Sequence, residues 1–183
     1  MPRWRRAERM DPLRDADWPE AVDDLRAGFA GRLNVYRVMA HHPDLLRAFA
    51  GLRGHVVQNT ALGPERAEVV ILRLAHRLGS AYEWAHHVVR GRRAGLSDAR
   101  IRTLRGDPEA MAASDAALAR AVDALVDHHK LTDAQAQAVG GPKAVLDLIA
   151  TVGMYLTLGF IVESFATPVD DDVAAELASA PLD

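Results

Sequence analysis

Residues 68–87 read EVVILRLAHRLGSAYEWAHH, and this stretch decides the fold. It contains most of an apolar helical run over 64–78, which ends at Gly79, a residue typical of helix C-termini. Ser80 is a typical N-cap residue for a second helix over 81–94. Because only a tight Gly-Ser turn joins these two segments, the sequence predicts two helices that lie side by side and antiparallel.

The remainder of the chain also has helical periodicity, and no segment alternates convincingly as a strand would. The sequence therefore predicts an all-α fold built around the central helical hairpin. A chain of 183 residues is long enough for one domain with a core of its own. We predict a single domain over 1–183, in which 1–17 forms a loose N-terminal arm and 168–183 an exposed C-terminal tail.

Composition and charge exclude several classes of protein. The chain has 22 Lys and Arg against 25 Asp and Glu, a net charge of −3, whereas nucleic-acid-binding domains are usually basic. It has no cysteine, which excludes disulfides, thiolate metal sites and cysteine nucleophiles. The arginine-rich N-terminus is not followed by the apolar segment of a secretory signal. We therefore expect no nucleic-acid partner and a cytoplasmic location.

One segment has the composition of a membrane span. Residues 148–165 are apolar, and Glu163 is their only charged residue. Their length is at the lower limit for crossing a bilayer, and hydroxyl residues interrupt them. We predict a helix buried in the core or in a subunit interface, with no membrane partner.

Three side chains near the hairpin turn are suited to acid–base chemistry. Glu83 and His87 are four residues apart, so both project from one face of the second helix. Glu68 lies on the preceding helix and supplies another carboxylate. A carboxylate beside an imidazole can transfer protons to and from a substrate. A purely structural alternative stays open, because Ser80 and Glu83 also have the spacing of a helix capping box.

The same residues resemble the signature of the carboxymuconolactone decarboxylase superfamily, also called the AhpD-like family. Its peroxidase branch has a Glu, a Cys-x-x-Cys pair twelve residues later, and a His four residues after the second Cys. Glu68 and His87 match at those spacings, with Ser80 and Glu83 at the two cysteine positions. The segments 34–36, 40–43 and 94–97 also resemble the family, and the likeness covers roughly residues 30 to 165. It implies an AhpD-like fold and a homotrimer or homohexamer.

The departures from that signature restrict the function. Dithiol peroxidase chemistry needs a nucleophilic thiolate and a resolving thiol, and Ser80 and Glu83 supply neither. We therefore expect no such peroxidase activity. Resemblance to the decarboxylase branch implies a lyase or isomerase that acts on a small oxoacid or lactone without a cofactor. Such an enzyme would use acid–base residues, with no metal.

The roles of individual residues follow from that reaction. Loss of carbon dioxide from a β-keto or β,γ-unsaturated acid leaves an enolate-like species that needs a proton donor at carbon. We predict His87 as this donor, because an imidazole titrates near neutral pH, and Glu83 and Glu68 as the groups that orient it. Tyr82 is predicted to stabilise an oxyanion by hydrogen bonding.

Three further residues are predicted to contact the substrate. Arg73 would hold a carboxylate, although it is equally suited to a solvated helix surface. Ser80 and His86 complete the predicted substrate contacts. Arg90, by contrast, is predicted to belong to a solvated helix end whose positive charges complement the helix dipole.

Two other functions remain open from the sequence. The chain could be a non-catalytic oligomeric binding protein that kept the fold and lost the chemistry. It could also be a metal-dependent, oxygenase-like protein, since Glu83 and His86 have the Glu-x-x-His spacing of di-iron bundles. That metal site would need a second such pair, which the sequence does not contain.

Overall fold

The computed structural model describes residues 10–182, and within that range the chain forms helices and no strand. Three short 3₁₀ helices lie at Asp15–Asp17, Glu20–Val22 and Pro108–Ala110. The eleven α-helices of the described range are α1 (Asp23–Arg26), α2 (Phe29–Arg32), α3 (Asn34–Met39), α4 (Pro43–Gln58), α5 (Pro64–Leu78), α6 (Ala81–Arg93), α7 (Asp98–Thr103), α8 (Ala113–His128), α9 (Asp133–Val139), α10 (Pro142–Phe165) and α11 (Asp171–Ser179). The all-α prediction is confirmed.

The turn between α5 and α6 forms as its sequence predicts. Gly79 adopts the left-handed conformation with φ of 64°, where a side chain would be strained. Its N–H donates to His76 O, and the N–H of Ser80 donates to Ala75 O, so the turn satisfies two of the last four carbonyls of α5. This turn packs α6 back against α5. The hairpin is the frame on which the candidate site is built.

Helix α10 runs through the core rather than around it. It packs against α5 and also contacts α3, α4 and α9. A Cβ at Gly159 would lie 2.9 Å from Leu78 Cδ1, so a larger residue there would require the Leu78 side chain to shift where α10 approaches α5. By length and composition this helix could cross a membrane, and half of its most apolar window is buried inside the protein. Its position is that of a core helix; the cytoplasmic location stays a prediction.

One face of α10 is apolar and exposed to solvent. Leu146, Ile149 and Phe160 are exposed, with 60% of Phe160 accessible. Gly153 lies between them at helical spacing, and a Cβ built there meets nothing within 4 Å. Together these four residues form the outer face of α10. An apolar stripe of this kind marks an interaction surface more often than a solvated one.

We expect the protein to assemble as a homotrimer or homohexamer through the outer face of α10. Light scattering should then give a mass well above the 19.9 kDa of one chain. Phe160→Glu should shift the mass towards the monomer, because burying a carboxylate in an apolar interface is unfavourable. Leu52→Glu, on the exposed side of α4, is the matched control and should leave the mass unchanged. A monomer at micromolar concentration would contradict the prediction.

Part of the predicted exposed C-terminal tail packs against the rest of the protein, although most side chains of residues 168–179 are exposed. Helix α11 packs against α6, and Val173 is buried in that contact. Asp170, directly before α11, is buried too and bonds to side chains of α6. Three consecutive aspartates suggested a solvated end, but the first of them has partners more than 80 residues away in the chain.

The predicted loose N-terminal arm is also wrong where the structure describes it. The Arg37 guanidinium donates to Leu13 O, and the Leu13 N–H donates to Arg37 O. Arg37 also pairs with Asp15 at 2.6 Å. These bonds hold the segment 13–17 against α3. Residues 1–9 of the predicted arm lie outside the described range.

Candidate active site

His87 is held in one orientation by a carboxylate of the neighbouring helix. Its Nδ1 lies 2.7 Å from Glu68 Oε2, so a hydrogen bond between side chains connects helices α5 and α6. Because an ionised carboxylate only accepts hydrogen bonds, Nδ1 carries the hydrogen in this contact. In the neutral ring, Nε2 is then the basic nitrogen. A carboxylate that fixes an imidazole in this way sets its tautomer for proton transfer.

Glu83 has an unusual position for a carboxyl group at the start of a helix. Ser80 Oγ accepts the Glu83 N–H, as a capping box requires, but the Ser80 N–H donates to Ala75 O instead. The Glu83 carboxyl group is therefore not used to close the cap. It is 3% exposed, and its buried Oε1 has no hydrogen-bond partner among the described residues. Its Oε2 lies 3.6 Å from His87 Nε2, too far for a hydrogen bond.

Burial shifts the pKa values of Glu83 and His87 in opposite directions. It raises the pKa of Glu83 to about 8, against the charge of Arg90, and the nearby carboxylate of Glu68 adds to the increase. Burial also lowers the pKa of His87 below its usual value, although the Glu68 carboxylate opposes that decrease. At neutral pH the site therefore holds a protonated carboxylic acid beside a neutral imidazole. This arrangement reverses the predicted role of His87 as the acid.

These side chains surround a small buried space, which we call the inner cavity. Its volume is about 20 Å³, enough for about one water molecule. The groups on its wall that carry chemistry are Tyr36, Tyr82, Glu83, His86, His87, Arg90 and Tyr155. A substrate could place only a single small group here, so most of its body would occupy neighbouring space.

A larger cavity adjoins the inner cavity on the side of α4 and α5. It has a volume of about 290 Å³, and Glu68, Arg90 and Tyr155 lie on its wall. Apolar residues such as Val56 and Ile71 form much of the remaining surface. Arg90 and Tyr155 line both cavities, so a ligand in the larger space would lie beside the proton-transfer groups.

Arg90 is not the solvated helix-end residue that the sequence predicted. It is partly buried, and it makes no hydrogen bond or ion pair with the described residues. Burial alone would lower the pKa of Arg90, but Tyr155 and Glu68, with smaller effects of Tyr36 and Glu83, raise it. A buried cation without a partner beside a cavity is suited to binding an anion. The sequence did not distinguish Arg90 from Arg92 and Arg93, which follow it in the same helical turn.

Two tyrosines that the sequence did not single out supply hydroxyl groups to the site. The Tyr155 ring packs edge-on against the His87 ring, with 4.9 Å between centroids. Burial raises the pKa of Tyr155 far above its usual value and that of Tyr36 to about 12, so both hydroxyls stay protonated. The Tyr36 hydroxyl oxygen accepts a hydrogen bond from Arg53, and neither hydroxyl donates to another group among the described residues, so both hydroxyl hydrogens could bind a substrate oxygen.

Tyr82 and His86 form a structural network with Asp170, and this network occupies the groups that the sequence assigned to the substrate. The Tyr82 hydroxyl donates to Asp170 Oδ2 at 2.7 Å and accepts the Val35 N–H. His86 stacks on Tyr82 and binds the same Asp170 oxygen through Nε2, while Nδ1 donates to Tyr82 O. The one hydroxyl hydrogen of Tyr82 is therefore not available to an oxyanion.

Arg73 and Ser80 are also not substrate contacts. The Arg73 guanidinium pairs with both oxygens of Asp123 and donates to the carbonyls of Leu104 and Gly106. All of its donor groups are thus directed to the protein, away from the inner cavity. Ser80 is buried and serves as the N-cap of α6. The structural alternative is the correct one for Ser80.

The Glu83 and His86 pair does not form half of a di-iron site. Glu83 lies next to His87, whereas both ring nitrogens of His86 are bonded to Tyr82 O and Asp170. Among residues 10–182, no group of three or more His, Asp or Glu side chains is placed to hold a metal ion. The Glu83-x-x-His86 spacing therefore does not correspond to a metal site among the described residues.

Comparison with known proteins supports the family that the sequence resembles. The family model described as the carboxymuconolactone decarboxylase family matches positions 43–127, which include Glu68, Glu83 and His87. Residues 43–127 belong to the carboxymuconolactone decarboxylase family. In this chain the family segment comprises α4 to α8 and contains the whole hairpin.

Two solved structures have a similar fold. One is a variant of the debrominase Bmp8 in complex with 2,3,4-tribromopyrrole, with a TM-score of 0.75 at 15% identity, covering 93% of this chain and 96% of that chain. The other is the same debrominase without ligand, with a TM-score of 0.74 at 16% identity, covering 92% and 96%. At these identities the likeness concerns the fold alone. Comparison with curated proteins returned no match.

Proposed function

We propose that the protein is a lyase or isomerase that needs no cofactor and transfers protons to and from carbon in a small oxoacid or lactone. The observation that carries this proposal is the protonated, buried Glu83 facing a neutral His87 that Glu68 holds in one tautomer. An acid and a base kept in opposite protonation states by their surroundings are what proton transfer at carbon requires.

In the decarboxylase form of the reaction, the bond between carbon and the carboxylate breaks. Its electron pair passes through the conjugated system to a carbonyl oxygen, and carbon dioxide leaves. Glu83 then donates its proton to the carbanionic carbon, and the ionised Glu83 regains a proton from water. The net change is one substrate carboxylate and one proton converted into carbon dioxide and a C–H bond.

Arg90 and Tyr155 stabilise the charges in this scheme. The Arg90 guanidinium would hold the substrate carboxylate, since it has no ion-pair partner in the described part of the chain. The Tyr155 hydroxyl, with a pKa raised by burial, would donate to the developing enolate oxygen. Donors fixed in a buried site stabilise such an oxyanion more than water does, because they need no reorientation.

The same groups would also serve an isomerase. His87 Nε2 would remove a proton from a carbon next to a carbonyl, and Glu83 would donate one at another carbon of the same system. One proton is removed and one is added, so the substrate keeps its composition and no carbon dioxide is lost. Both forms use no thiol, in keeping with the absence of cysteine.

A direct test is incubation with β-keto acids and carboxylated lactones in D₂O, followed by NMR. A decarboxylase releases carbon dioxide and places deuterium at the carbon that lost it, and an isomerase incorporates deuterium without that loss. The non-catalytic binding protein remains the alternative. It would show neither result, yet could still bind these compounds.

In the isomerase form, where His87 is the base, His87→Ala is expected to lower turnover on an accepted substrate by roughly 10²–10⁴-fold, the usual contribution of one acid–base group. His128→Ala, an exposed position at the end of α8, is the matched control and should keep wild-type turnover. Rates are compared at equal folded fraction, measured by circular dichroism. Wild-type turnover in the His87 variant would contradict the assigned role of this residue.

A further inference from the structure

A second large cavity shares Arg90 with the candidate active site. It also contains the positive charge of Arg53, which the proposed reaction does not use. We call it the arginine chamber; it has a volume of about 460 Å³. Phe29, Leu33, Arg53, Gln58 and Arg90 line it. The chamber lies where α2 and the end of α4 meet α6.

Arg53 is the unusual residue of this chamber. It is only 9% exposed, and no carboxylate in the described range pairs with it. Its buried Nε has no hydrogen-bond partner among residues 10–182. A buried guanidinium without a counterion is unfavourable in the empty protein, which suggests that the counterion comes from outside.

The surroundings of Arg53 orient its guanidinium for recognition of a planar anion. Its Cζ lies 4.0 Å from the ring centroid of Phe29 and 5.7 Å from that of Tyr36. Phe29, the nearer ring, lies against the guanidinium, and a hydrogen bond between Arg53 and the Tyr36 hydroxyl fixes it further, which leaves an edge of the guanidinium for a ligand. The two N–H groups along such an edge match the two oxygens of a carboxylate.

The charge around the chamber favours an anion as well. Arg32, Arg53 and Arg90 contribute three positive charges, against one exposed carboxylate, Asp172. Asp172 is not within ion-pair distance of Arg53 or Arg90, so it does not neutralise either charge. Phe29 and Leu33 give the chamber an apolar wall that would contact the body of an organic ligand.

We propose that the arginine chamber binds a small organic carboxylate with a flat, apolar body. Arg53 and Arg90 hold its carboxylate, Gln58 donates a further hydrogen bond, and Phe29 packs against the body. This site goes beyond the proposed function, because it requires binding alone and no proton transfer. Leu33 and Arg90 also line the inner cavity, so the chamber adjoins the space that contains Glu83 and His87.

Calorimetric titration of the full chain with sodium benzoate at constant ionic strength tests the proposal. Benzoate has no β-keto group to lose or exchange, so the result does not depend on whether the protein is a lyase. Saturable binding is expected, and Arg53→Met and Arg90→Met should each weaken it roughly 10- to 100-fold, the effect of losing a charged hydrogen bond. Arg120→Met removes an equal charge on the exposed surface of α8 and should leave the affinity unchanged.

A second arm uses inorganic phosphate, which shares the charge but has no apolar body. Phosphate should bind more weakly than benzoate, because it cannot pack against Phe29. Equal or tighter phosphate binding, or no saturable benzoate binding, would overturn the proposal. So would equal affinities in the Arg53→Met and Arg120→Met variants.

If Arg53→Met fails to fold, Arg90→Met and Gln58→Leu decide the question. Gln58 is exposed at the end of α4, so its substitution leaves the core intact. A loss of benzoate affinity in both variants supports the site, and wild-type affinity in both overturns it.

Discussion

Replacing Glu83 with Gln is expected to abolish most turnover while leaving the fold intact. Gln has the size and the hydrogen-bonding groups of a protonated Glu, but it cannot release a proton to carbon. Turnover should fall about 10²–10⁴-fold, as for other single acid–base groups. The expected loss concerns kcat more than KM, because the charge and volume at neutral pH are nearly unchanged.

The same substitution should change how stability depends on pH. Glu83 has its pKa raised by burial to about 8, from 4.5 in the unfolded chain. Between these values the folded protein keeps a proton that the unfolded chain releases, so the free energy of unfolding falls as pH rises. Glu83→Gln removes this decrease, which amounts to roughly 3–5 kcal/mol over the whole window.

His87 contributes a pH dependence of opposite sign. Because burial lowers its pKa, stability is lost as pH falls below 6.5, where the unfolded chain takes up a proton first. This effect is common to the wild type and the variant and largely cancels in their difference. Urea denaturation at pH 5, 7 and 9 measures that difference. Glu20→Gln, at an exposed position, is the control, and a wild-type pH profile in Glu83→Gln would contradict the protonated state.

Replacing Asp170 with Ala is expected to be the most destabilising of the changes considered. Asp170 Oδ2 accepts from Tyr82 and binds His86, and its Oδ1 accepts the Asn34 N–H. Burial by itself would raise the pKa of Asp170, but the hydrogen bonds from His86 and Tyr82 outweigh it, and the pKa is lowered. Removing this carboxylate leaves buried donors unpaired, with an expected loss of about 3–5 kcal/mol.

The melting temperature and the urea midpoint measure that loss. Asp171→Ala changes the next residue, which is exposed in the first turn of α11, and should lower stability by less than about 1 kcal/mol. Asp170→Asn keeps the shape of the side chain and removes only its charge. Its loss of stability should therefore lie between those of Asp170→Ala and Asp171→Ala. An Asp170→Ala protein as stable as the Asp171→Ala protein would show that the network contributes little.

The local sequence predicted the parts of the site that depend on helix geometry. The i, i+4 spacing placed Glu83 near His87, and the turn at Gly79 returned α6 along α5 so that His87 reaches Glu68. These contacts depend on a few neighbouring residues and on fixed helical dimensions. Such features can be read from sequence because no distant segment has to be placed first.

Several of the predicted site residues have distant partners that the sequence did not indicate. Arg73 binds Asp123, 50 residues later, and His86 binds Asp170, 84 residues later. No local sequence pattern indicates which distant side chain will contact Arg73 or His86. Whether His87 is the acid or the base depends on its pKa, which burial lowers although the Glu68 carboxylate opposes the decrease, and the extent of burial cannot be read from a local pattern.

By itself, the sequence determined the all-α fold, the α5–α6 hairpin and the lack of thiol chemistry. These follow from helical periodicity, from a glycine turn and from composition, all of which are properties of neighbouring residues or of the whole chain. Only the tertiary structure decided that Glu83 Oε1 is buried without a hydrogen-bond partner among residues 10–182, that Arg53 and Arg90 form no ion pair within that range, and that Tyr155 faces His87. Burial and charge compensation depend on which helices pack together, and packing joins residues that sequence spacing leaves unrelated.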